Sequence, residues 1–224
     1  MGFGLTDFFI FLNMKLIDEI KNLKNSKLRK TVDKRLKEFE SFKDKNTKEW
    51  FSELCFCILT ANSKAVTGLK IQDELKSKGF CEYSHDSIKE TIRKNKHRFH
   101  NNKAKYIICA REHIDIKDKI ISLTNKEGEK KARQWLADNI KGLGFKEASH
   151  FMRNVGYKNI AIIDRHILKV MKENNLIKEI PKSITRKKYI EIEDIFNGLA
   201  KKLNMTSAEL DLYMWYMKTG KVLK

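Results

Sequence analysis

The chain of 224 residues carries 47 Lys and Arg against 29 Asp and Glu, which gives a formal net charge of +18 at pH 7. Its 41% of hydrophobic residues exclude a disordered polycation, and its length suits one globular unit or two small lobes that share a cleft. Such an excess of positive charge indicates a polyanionic partner, either nucleic acid or an acidic membrane face, unless it reflects only a Lys-rich composition.

The first thirteen residues are apolar, contain no Lys or Arg, and precede a second methionine at Met14. A secretory signal would need a basic start and a small-residue cleavage site, and neither is present. We therefore expect an N-terminal extension over residues 1–13 and the domain proper over residues 14–224. No apolar run reaches the roughly 18 residues needed to cross a bilayer, so we expect a soluble protein without a membrane partner.

A single proline, Pro181, and apolar residues spaced three and four apart from Leu16 onward predict an all-α protein. The segment Trp50–Ala61 is apolar on nearly every side, which indicates a buried central helix. A loop is predicted around Thr124–Gly128. The predicted helical segments are Leu16–Phe42 (one or two helices), Trp50–Ala61, Ala65–Lys76 (closing near Gly79), Lys103–His113, Lys130–Ile140, Phe145–Val155, Arg165–Glu173, Arg186–Leu203 and a last helix between Thr206 and Gly220.

The four cysteines lack the paired C-x-x-C spacing of zinc sites and of four-cysteine iron–sulfur sites. They are better interpreted as small buried hydrophobic residues in a reducing compartment. We therefore predict no metal held by side chains.

Two glycines, Gly142 and Gly144, lie in the turn between two predicted helices. Such a turn gathers the N–H groups of the turn and of the second helix's first turn, where unpaired donors and roughly half a positive charge favour a phosphate. A G-x-G pair alone is weak evidence, because most such pairs are only tight turns.

Lys146 follows this turn directly, and Asp164 lies eighteen residues later, at the start of the next predicted helix. The helix dipole and the neighbouring cations disfavour the charged form of Lys146, so we expect part of its amine to be neutral near neutral pH. A neutral amine forms a Schiff base at a sugar carbon, and a nearby carboxylate stabilises positive charge as a glycosidic bond breaks. The alternatives are a solvated or phosphate-binding lysine and an ordinary helix-capping aspartate.

The stretch Asn139–Leu168 resembles the helix-hairpin-helix, loop and Asp signature of the base-excision DNA glycosylase superfamily. More closely, the chain resembles the archaeal-type (type 2) 8-oxoguanine DNA glycosylase/AP lyases. This resemblance covers the chain from about Met14 to its end and includes ELCFCILTAN at Glu53–Asn62, the triplet His97–Phe99 and the ending Leu210–Lys224. It implies two helical lobes with the hairpin at the DNA-binding cleft and a catalytic segment at about residues 130–173. The loop Tyr157–Ile163 lacks the proline of the wider superfamily.

The resemblance also implies roles for individual residues. Lys146 would be the Schiff-base nucleophile, and Asp164 would assist glycosidic cleavage and proton transfer. Gly142 and Gly144 would bind the DNA backbone, with a monovalent cation on the hairpin carbonyls. His166 would contact a phosphate, the alternative being a partly exposed helix histidine. The terminal carboxylate of Lys224 would recognise the damaged base, the alternative being a frayed tail.

Three further residues suit the handling of an everted base. Trp215 on the last helix is our candidate for stacking on it, although most aromatic and Met residues there should be core. Arg98 and Phe99, inside a basic and aromatic run, suit a wedge that fills the gap in the duplex. The alternative for Phe99 is a core anchor.

The sequence therefore predicts a monomeric, cytoplasmic, nucleoid-associated repair enzyme whose partner is duplex DNA containing 8-oxoguanine. It would excise the base through Lys146 and cut the strand 3′ to the abasic site by β-elimination, with no metal or organic cofactor required. The alternatives are a related glycosylase for another lesion and a non-catalytic helix-hairpin-helix module that binds DNA.

Overall fold

The computed structural model describes the backbone from Leu5 to Lys224 and the side chains from Met14 onward. Met1–Gly4 and the side chains of residues 5–13 lie outside the described residues. The N-terminal extension over residues 1–13 therefore stays a prediction.

Over residues 5–224 the chain is helical and contains no β-strand, which confirms the predicted all-α class. Two short 3-10 helices lie at Phe42–Asp44 and Arg111–His113. Among the described residues no helix is long and apolar enough to cross a membrane. The α-helices are α1 (Leu5–Lys24), α2 (Leu28–Ser41), α3 (Thr47–Thr60), α4 (Ala65–Glu82), α5 (His85–Lys94), α6 (His100–Ala110), α7 (Ile116–Glu127), α8 (Glu129–Asn139), α9 (Phe145–Asn154), α10 (Arg165–Glu173), α11 (Arg186–Lys202) and α12 (Ser207–Thr219).

Two predicted helix boundaries are wrong. Helix α4 does not close near Gly79 but continues to Glu82, with a single non-helical residue at Lys76, where φ is 54°. The predicted loop at Thr124–Gly128 is the last turn of α7, and Gly128 alone separates α7 from α8. Gly128 has a φ of 86° and a ψ of 167°, a conformation that is essentially restricted to glycine.

The four cysteines are all free thiols, but only two of them match the prediction of burial. Cys55 and Cys57 are buried in α3, whereas Cys81 and Cys109 are partly exposed. Burial raises the pKa of the Cys55 thiol well above its ordinary value, which keeps this thiol protonated and unreactive.

The chain forms two compact helical units, which we call the central and the terminal unit. The central unit is Phe39–Tyr157, and the terminal unit combines the described residues up to Glu38 with Lys158–Lys224. The central unit is built around α3, whose residues from Trp50 to Thr60 are all buried, as the apolar pattern predicted. Asn46 is the N-cap residue of this helix and forms a capping box with Glu49. The Asn46 side chain accepts the Glu49 N–H, and the Glu49 side chain accepts the Asn46 N–H.

Buried polar contacts join α9 to α3 in the central unit. Glu53 on α3 is only 1% exposed and accepts a hydrogen bond from Asn154 Nδ2 at 2.7 Å. The Trp50 and Phe151 rings meet edge to face, with centroids 6.0 Å apart. A buried carboxylate is costly unless it is hydrogen-bonded. The bond between Glu53 and Asn154 therefore specifies the position of α9 as well as stabilising it.

In the terminal unit, side chains of α11 hold the extended segment that leads into α10. The Tyr189 hydroxyl donates to the Ala161 carbonyl at 2.9 Å and accepts the Ile163 N–H at 3.0 Å. Glu193 Oε1 accepts the Ala161 N–H at 3.2 Å. These bonds satisfy buried backbone groups that have no strand partner, and they define where α10 begins.

Candidate active site

Helices α8 and α9 form a helical hairpin within the central unit. The Ile140 N–H closes α8 by donating to the Leu136 carbonyl at 2.9 Å, and the Leu143 N–H donates to the Ile140 carbonyl at 3.1 Å. Across the hairpin, the buried Arg133 guanidinium lies 4.7 Å from the centroid of the Phe145 ring. The two helices are therefore packed together directly beside the turn.

The turn requires glycine at position 142, and it gives the first turn of α9 an N-cap residue without a side-chain acceptor. Gly142 has a φ of 92°, in the region that only glycine adopts freely. Gly144 is the N-cap residue of α9 and has no side chain that accepts a bond from the first turn. The first-turn N–H groups of α9 consequently point away from the helix without an N-cap acceptor, the arrangement that favours an anion.

Replacing Gly142 with Ala should disrupt the hairpin turn. A Cβ at this position would lie 2.5 Å from Tyr106 Cδ2, in addition to the cost of the positive φ. Gly128→Ala is the matched control, because its φ is 86° and nothing lies within 4 Å of its Cβ. We expect the control to cost about 1–3 kcal/mol of unfolding free energy and to retain DNA binding. Gly142→Ala should cost more and weaken binding at least about tenfold. Equal binding by the two variants would contradict the role of this turn.

Lys146 lies in the first turn of α9, as the sequence predicted. Its side chain is 30% exposed, and Nζ lies 3.3 Å from Glu147 Oε1. The other oxygen of Glu147 accepts the Gly144 N–H at 3.2 Å. One carboxylate thus connects the hairpin turn to the Lys146 amine. The expectation of a partly neutral amine considered only cationic neighbours, and the structure adds this acidic one.

Arg98 and Phe99 lie next to each other before α6. The Arg98 guanidinium carbon is 4.4 Å from the centroid of the Phe99 ring, so the two side chains stack. Arg98 is exposed and Phe99 is half-buried, which does not support the interpretation of Phe99 as a core anchor. A stacked cation and ring at the surface are suited to contacts with bases and phosphates.

His97 holds this pair in position, a role that the sequence did not indicate. It is 2% exposed, and its Nε2 lies 2.9 Å from the Leu59 carbonyl while Nδ1 accepts the Phe99 N–H at 3.2 Å. Because a carbonyl only accepts and an N–H only donates, the ring is neutral with its proton on Nε2. Burial lowers the pKa of His97, which is consistent with the neutral form.

Asp164 is the N-cap residue of α10 in the terminal unit. Its Oδ1 accepts the N–H groups of His166 and Ile167, both at 2.8 Å. Both bonds use one oxygen, so the second carboxylate oxygen, Oδ2, is not needed for capping. The capping alternative is therefore correct, and it leaves the catalytic role open.

His166 and Trp215 lie together in the same unit. Their ring centroids are 5.8 Å apart with an interplanar angle of 72°, and both side chains are half-buried. The neighbouring Tyr213 and Met214 are buried in the core, as expected for most of this helix. After α12 closes at Gly220, which has a φ of 66°, the chain continues without helix to the half-buried Lys224.

The predicted site residues thus form two groups, one in each unit. The central unit holds the hairpin glycines, Lys146 and the Arg98–Phe99 pair. The terminal unit holds Asp164, His166, Trp215 and Lys224. Sequence reasoning missed Glu147, although a carboxylate three residues after an N-cap is a known capping signal. It also missed Tyr189 and Glu193, whose signal is two polar residues four apart on the buried face of α11.

A helical hairpin followed by a lysine, with an aspartate heading a later helix, is the arrangement that the resemblance to the helix-hairpin-helix DNA glycosylases implies. Comparison with known proteins is more specific. A family model described as 8-oxoguanine DNA glycosylase matches residues 32–205. The chain therefore belongs to the 8-oxoguanine DNA glycosylase family, as its resemblance predicted.

Relatives match along almost the whole chain. The 8-oxoguanine DNA glycosylase/AP lyase of Methanocaldococcus jannaschii is 52% identical over 211 residues, which cover 94% of this chain and 100% of that protein. A crystal structure of the M. jannaschii 8-oxoguanine glycosylase/lyase in complex with a 15mer DNA containing 8-oxoguanine has a TM-score of 0.90, 51% identity and coverage of 94% and 100%. The 8-oxoguanine DNA glycosylase of Thermotoga maritima has a TM-score of 0.87 at 33% identity, with coverage of 95% and 100%.

Proposed function

We propose that this protein excises 8-oxoguanine from duplex DNA through a Schiff base on Lys146 and then cuts the strand 3′ to the abasic site. The observation that carries the proposal is the partly exposed Lys146 amine in the first turn after the hairpin. Its chain-length relatives are named 8-oxoguanine DNA glycosylase/AP lyase, which supports the choice of lesion and of reaction.

The reaction divides into two steps. The neutral Lys146 amine attacks C1′ of the everted nucleotide, the bond from C1′ to the base breaks, and the base leaves with a proton. The Asp164 carboxylate stabilises the positive charge that develops on the sugar. The sugar ring then opens at the bond from C1′ to O4′, O4′ takes up the proton from the attached nitrogen, and an imine between C1′ and Lys146 forms. This imine acidifies the C2′ hydrogen, and loss of that proton breaks the bond from C3′ to oxygen. This elimination cuts the strand and leaves the sugar on the enzyme until water hydrolyses the imine.

The remaining predicted residues bind the substrate in this proposal. The hairpin N–H groups and His166 bind phosphates, the Arg98–Phe99 pair fills the gap in the duplex, and Trp215 stacks on the everted base. The hairpin carbonyls are hard oxygen donors that suit a monovalent cation, but no reaction step depends on one. We propose a monomer that works in the cytoplasm on nucleoid DNA.

A panel of labelled duplexes tests the choice of substrate. Each would carry one 8-oxoguanine, one oxidised pyrimidine, one mismatch or one undamaged guanine, and free base and strand cuts would be measured separately. We expect base release and cutting with 8-oxoguanine, at least about 10²-fold faster than with guanine. Preference for another lesion would indicate a related glycosylase, and binding without chemistry would indicate a non-catalytic module.

Removal of Lys224 tests recognition of the base. We expect the rate on 8-oxoguanine to fall while binding to undamaged duplex is retained, so that the preference for 8-oxoguanine over guanine falls about tenfold or more. Lys221→Gln is the control, because it removes an exposed positive charge from the same tail without removing the terminal residue. An unchanged preference after deletion of Lys224 would contradict its role in base recognition.

A further inference from the structure

Lys103 is a buried lysine of the central unit that the proposed reaction does not use. It lies on α6, is only 5% exposed, and its Nζ donates to the Ile58 carbonyl at 2.6 Å. Lysine is almost never fully buried without a group that compensates its charge. The Ile58 carbonyl belongs to the last turn of α3, where the unpaired carbonyls together carry roughly half a negative charge. Lys103 is therefore a side-chain cap of this helix end.

The same end of α3 has a second side-chain cap in His97. The Leu59 carbonyl, next to that of Ile58, accepts a hydrogen bond from His97 Nε2 at 2.9 Å. In the chain, His97 precedes the Arg98–Phe99 pair and Lys103 follows it. The two caps thus attach the segment that carries this pair to α3, the central helix of the unit.

Both polar groups of the Phe99 backbone take part in this arrangement. The Phe99 N–H donates to His97 Nδ1 at 3.2 Å, and the Phe99 carbonyl accepts the Lys103 N–H at 2.9 Å. The rings of His97 and Phe99 also meet edge to face, with centroids 6.5 Å apart. Two chains of hydrogen bonds therefore run from Phe99 to the end of α3, one through His97 and one through Lys103.

A fixed position of the Arg98–Phe99 pair has a specific use in the eversion of a base. Unpairing and unstacking a base costs free energy, which side chains that fill the gap in the duplex offset. Arg98 is exposed and Phe99 is only half-buried, so packing of the two side chains does not fix their position by itself. The bonds from the Phe99 backbone to α3 supply the missing constraint.

We propose that His97 and Lys103 are positioning residues for base eversion: they cap α3 and thereby hold the stacked Arg98–Phe99 pair in the orientation that replaces the everted base. The inference rests on the proposed function, because it concerns the wedge of the same enzyme. It predicts a defect in eversion without a matching defect in the chemistry at Lys146.

The test compares two single-turnover rates on duplex DNA. One is the release of 8-oxoguanine paired with cytosine, which requires eversion, and the other is borohydride trapping on a preformed abasic site, where no base remains to be everted. Lys103→Met and His97→Leu each remove one cap but keep an apolar side chain. Each should lower the rate of base release about tenfold and the rate of trapping less than about threefold. A merely structural role would lower both rates by the same factor, and that result would overturn the inference.

Lys117→Met is the matched control. Lys117 on α7 also donates to a backbone carbonyl within the central unit, that of Lys45 at 2.7 Å, but this bond does not involve the wedge segment. The variant should keep both rates within about threefold of the wild type. A selective loss of base release in Lys117→Met would overturn the inference, because the loss would not be specific to the caps of α3.

A double-mutant cycle tests whether the caps act through the wedge. Phe99→Ala removes the ring that the two caps hold in position. In this background, adding Lys103→Met should lower the rate of base release by less than about threefold, instead of about tenfold. An undiminished effect of Lys103→Met in the Phe99→Ala background would overturn the inference.

The outcomes separate this inference from the function on which it rests. A wild type that neither releases the base nor forms an adduct would overturn both. An active wild type whose ratio of base release to trapping is unchanged in the variants would overturn the inference alone. If Lys103→Met and His97→Leu fail to fold, His97→Gln decides, because its amide N–H reaches the position of the ring Nε2 while no acceptor replaces Nδ1. Its ratio of base release to trapping should fall about threefold or more, and an unchanged ratio would overturn the inference.

Discussion

Lys146→Gln will abolish the covalent adduct that borohydride traps between the protein and a duplex containing 8-oxoguanine. Base release and strand cutting should fall by about 10³-fold or more, because the amide nitrogen is not a nucleophile and forms no imine. The side chain is 30% exposed, and its one described contact is an ion pair with Glu147, so the variant should fold normally. Binding to the duplex should change by less than about tenfold, since a single phosphate contact contributes little.

Lys37→Gln is the control for this loss of one positive charge. Lys37 is exposed on α2, and the variant should trap as much adduct as the wild type. Cutting by Lys146→Gln should also be measured on a preformed abasic site. If another amine of the protein acts in place of Lys146, borohydride will trap a new adduct on that amine. A full wild-type yield of adduct from Lys146→Gln would show that the nucleophile is elsewhere.

Asp164→Asn will separate the catalytic role of this residue from its structural one. Asparagine is as good an N-cap residue as aspartate, and its Oδ1 accepts the His166 and Ile167 N–H groups in the same way. The thermal unfolding temperature should therefore be unchanged. Excision of 8-oxoguanine should fall about 10²-fold or more, because the negative charge that stabilises the reacting sugar is gone.

Asp164→Ala should lose both functions. Removal of the two capping bonds should cost about 1 kcal/mol of unfolding free energy, in addition to the loss of activity. Thr185→Ala removes a comparable cap from α11, where Thr185 accepts the Lys188 N–H at 3.2 Å, and should lose stability but little activity. Wild-type activity in Asp164→Asn would leave Asp164 with the capping role alone.

Helices with strong local signals were predictable from the sequence. Asp164 begins α10 and Gly220 ends α12 as predicted, because caps act on the residues next to them in the chain. The short α5 was missed because Ile88 and Ile92 are its only buried residues, which leaves too little apolar periodicity. Gly79 was mistaken for a helix end, whereas it lies inside α4 where an added Cβ would meet Leu75 Cβ at 3.1 Å.

The candidate site was predictable only in part, for a related reason. Lys146 and Asp164 lie at the starts of α9 and α10, where local motifs place them, and their catalytic roles stay predictions. The position of α9, the helix that carries Lys146, depends on the hydrogen bond from Asn154 to Glu53, two residues that lie 101 positions apart in the chain. Tertiary contacts of this kind leave no periodic or spacing signal, so they emerge only from the structure.

The most direct test of the proposed chemistry is to locate the covalent bond itself. The wild-type protein would be trapped with borohydride on a duplex containing 8-oxoguanine, digested with protease, and the peptide that carries the nucleotide sequenced by mass spectrometry. The proposed mechanism predicts a reduced imine on Lys146 alone. A bond to Lys103, to the N-terminal amine or to any other lysine would contradict it, as would a wild-type protein that releases 8-oxoguanine without forming an adduct.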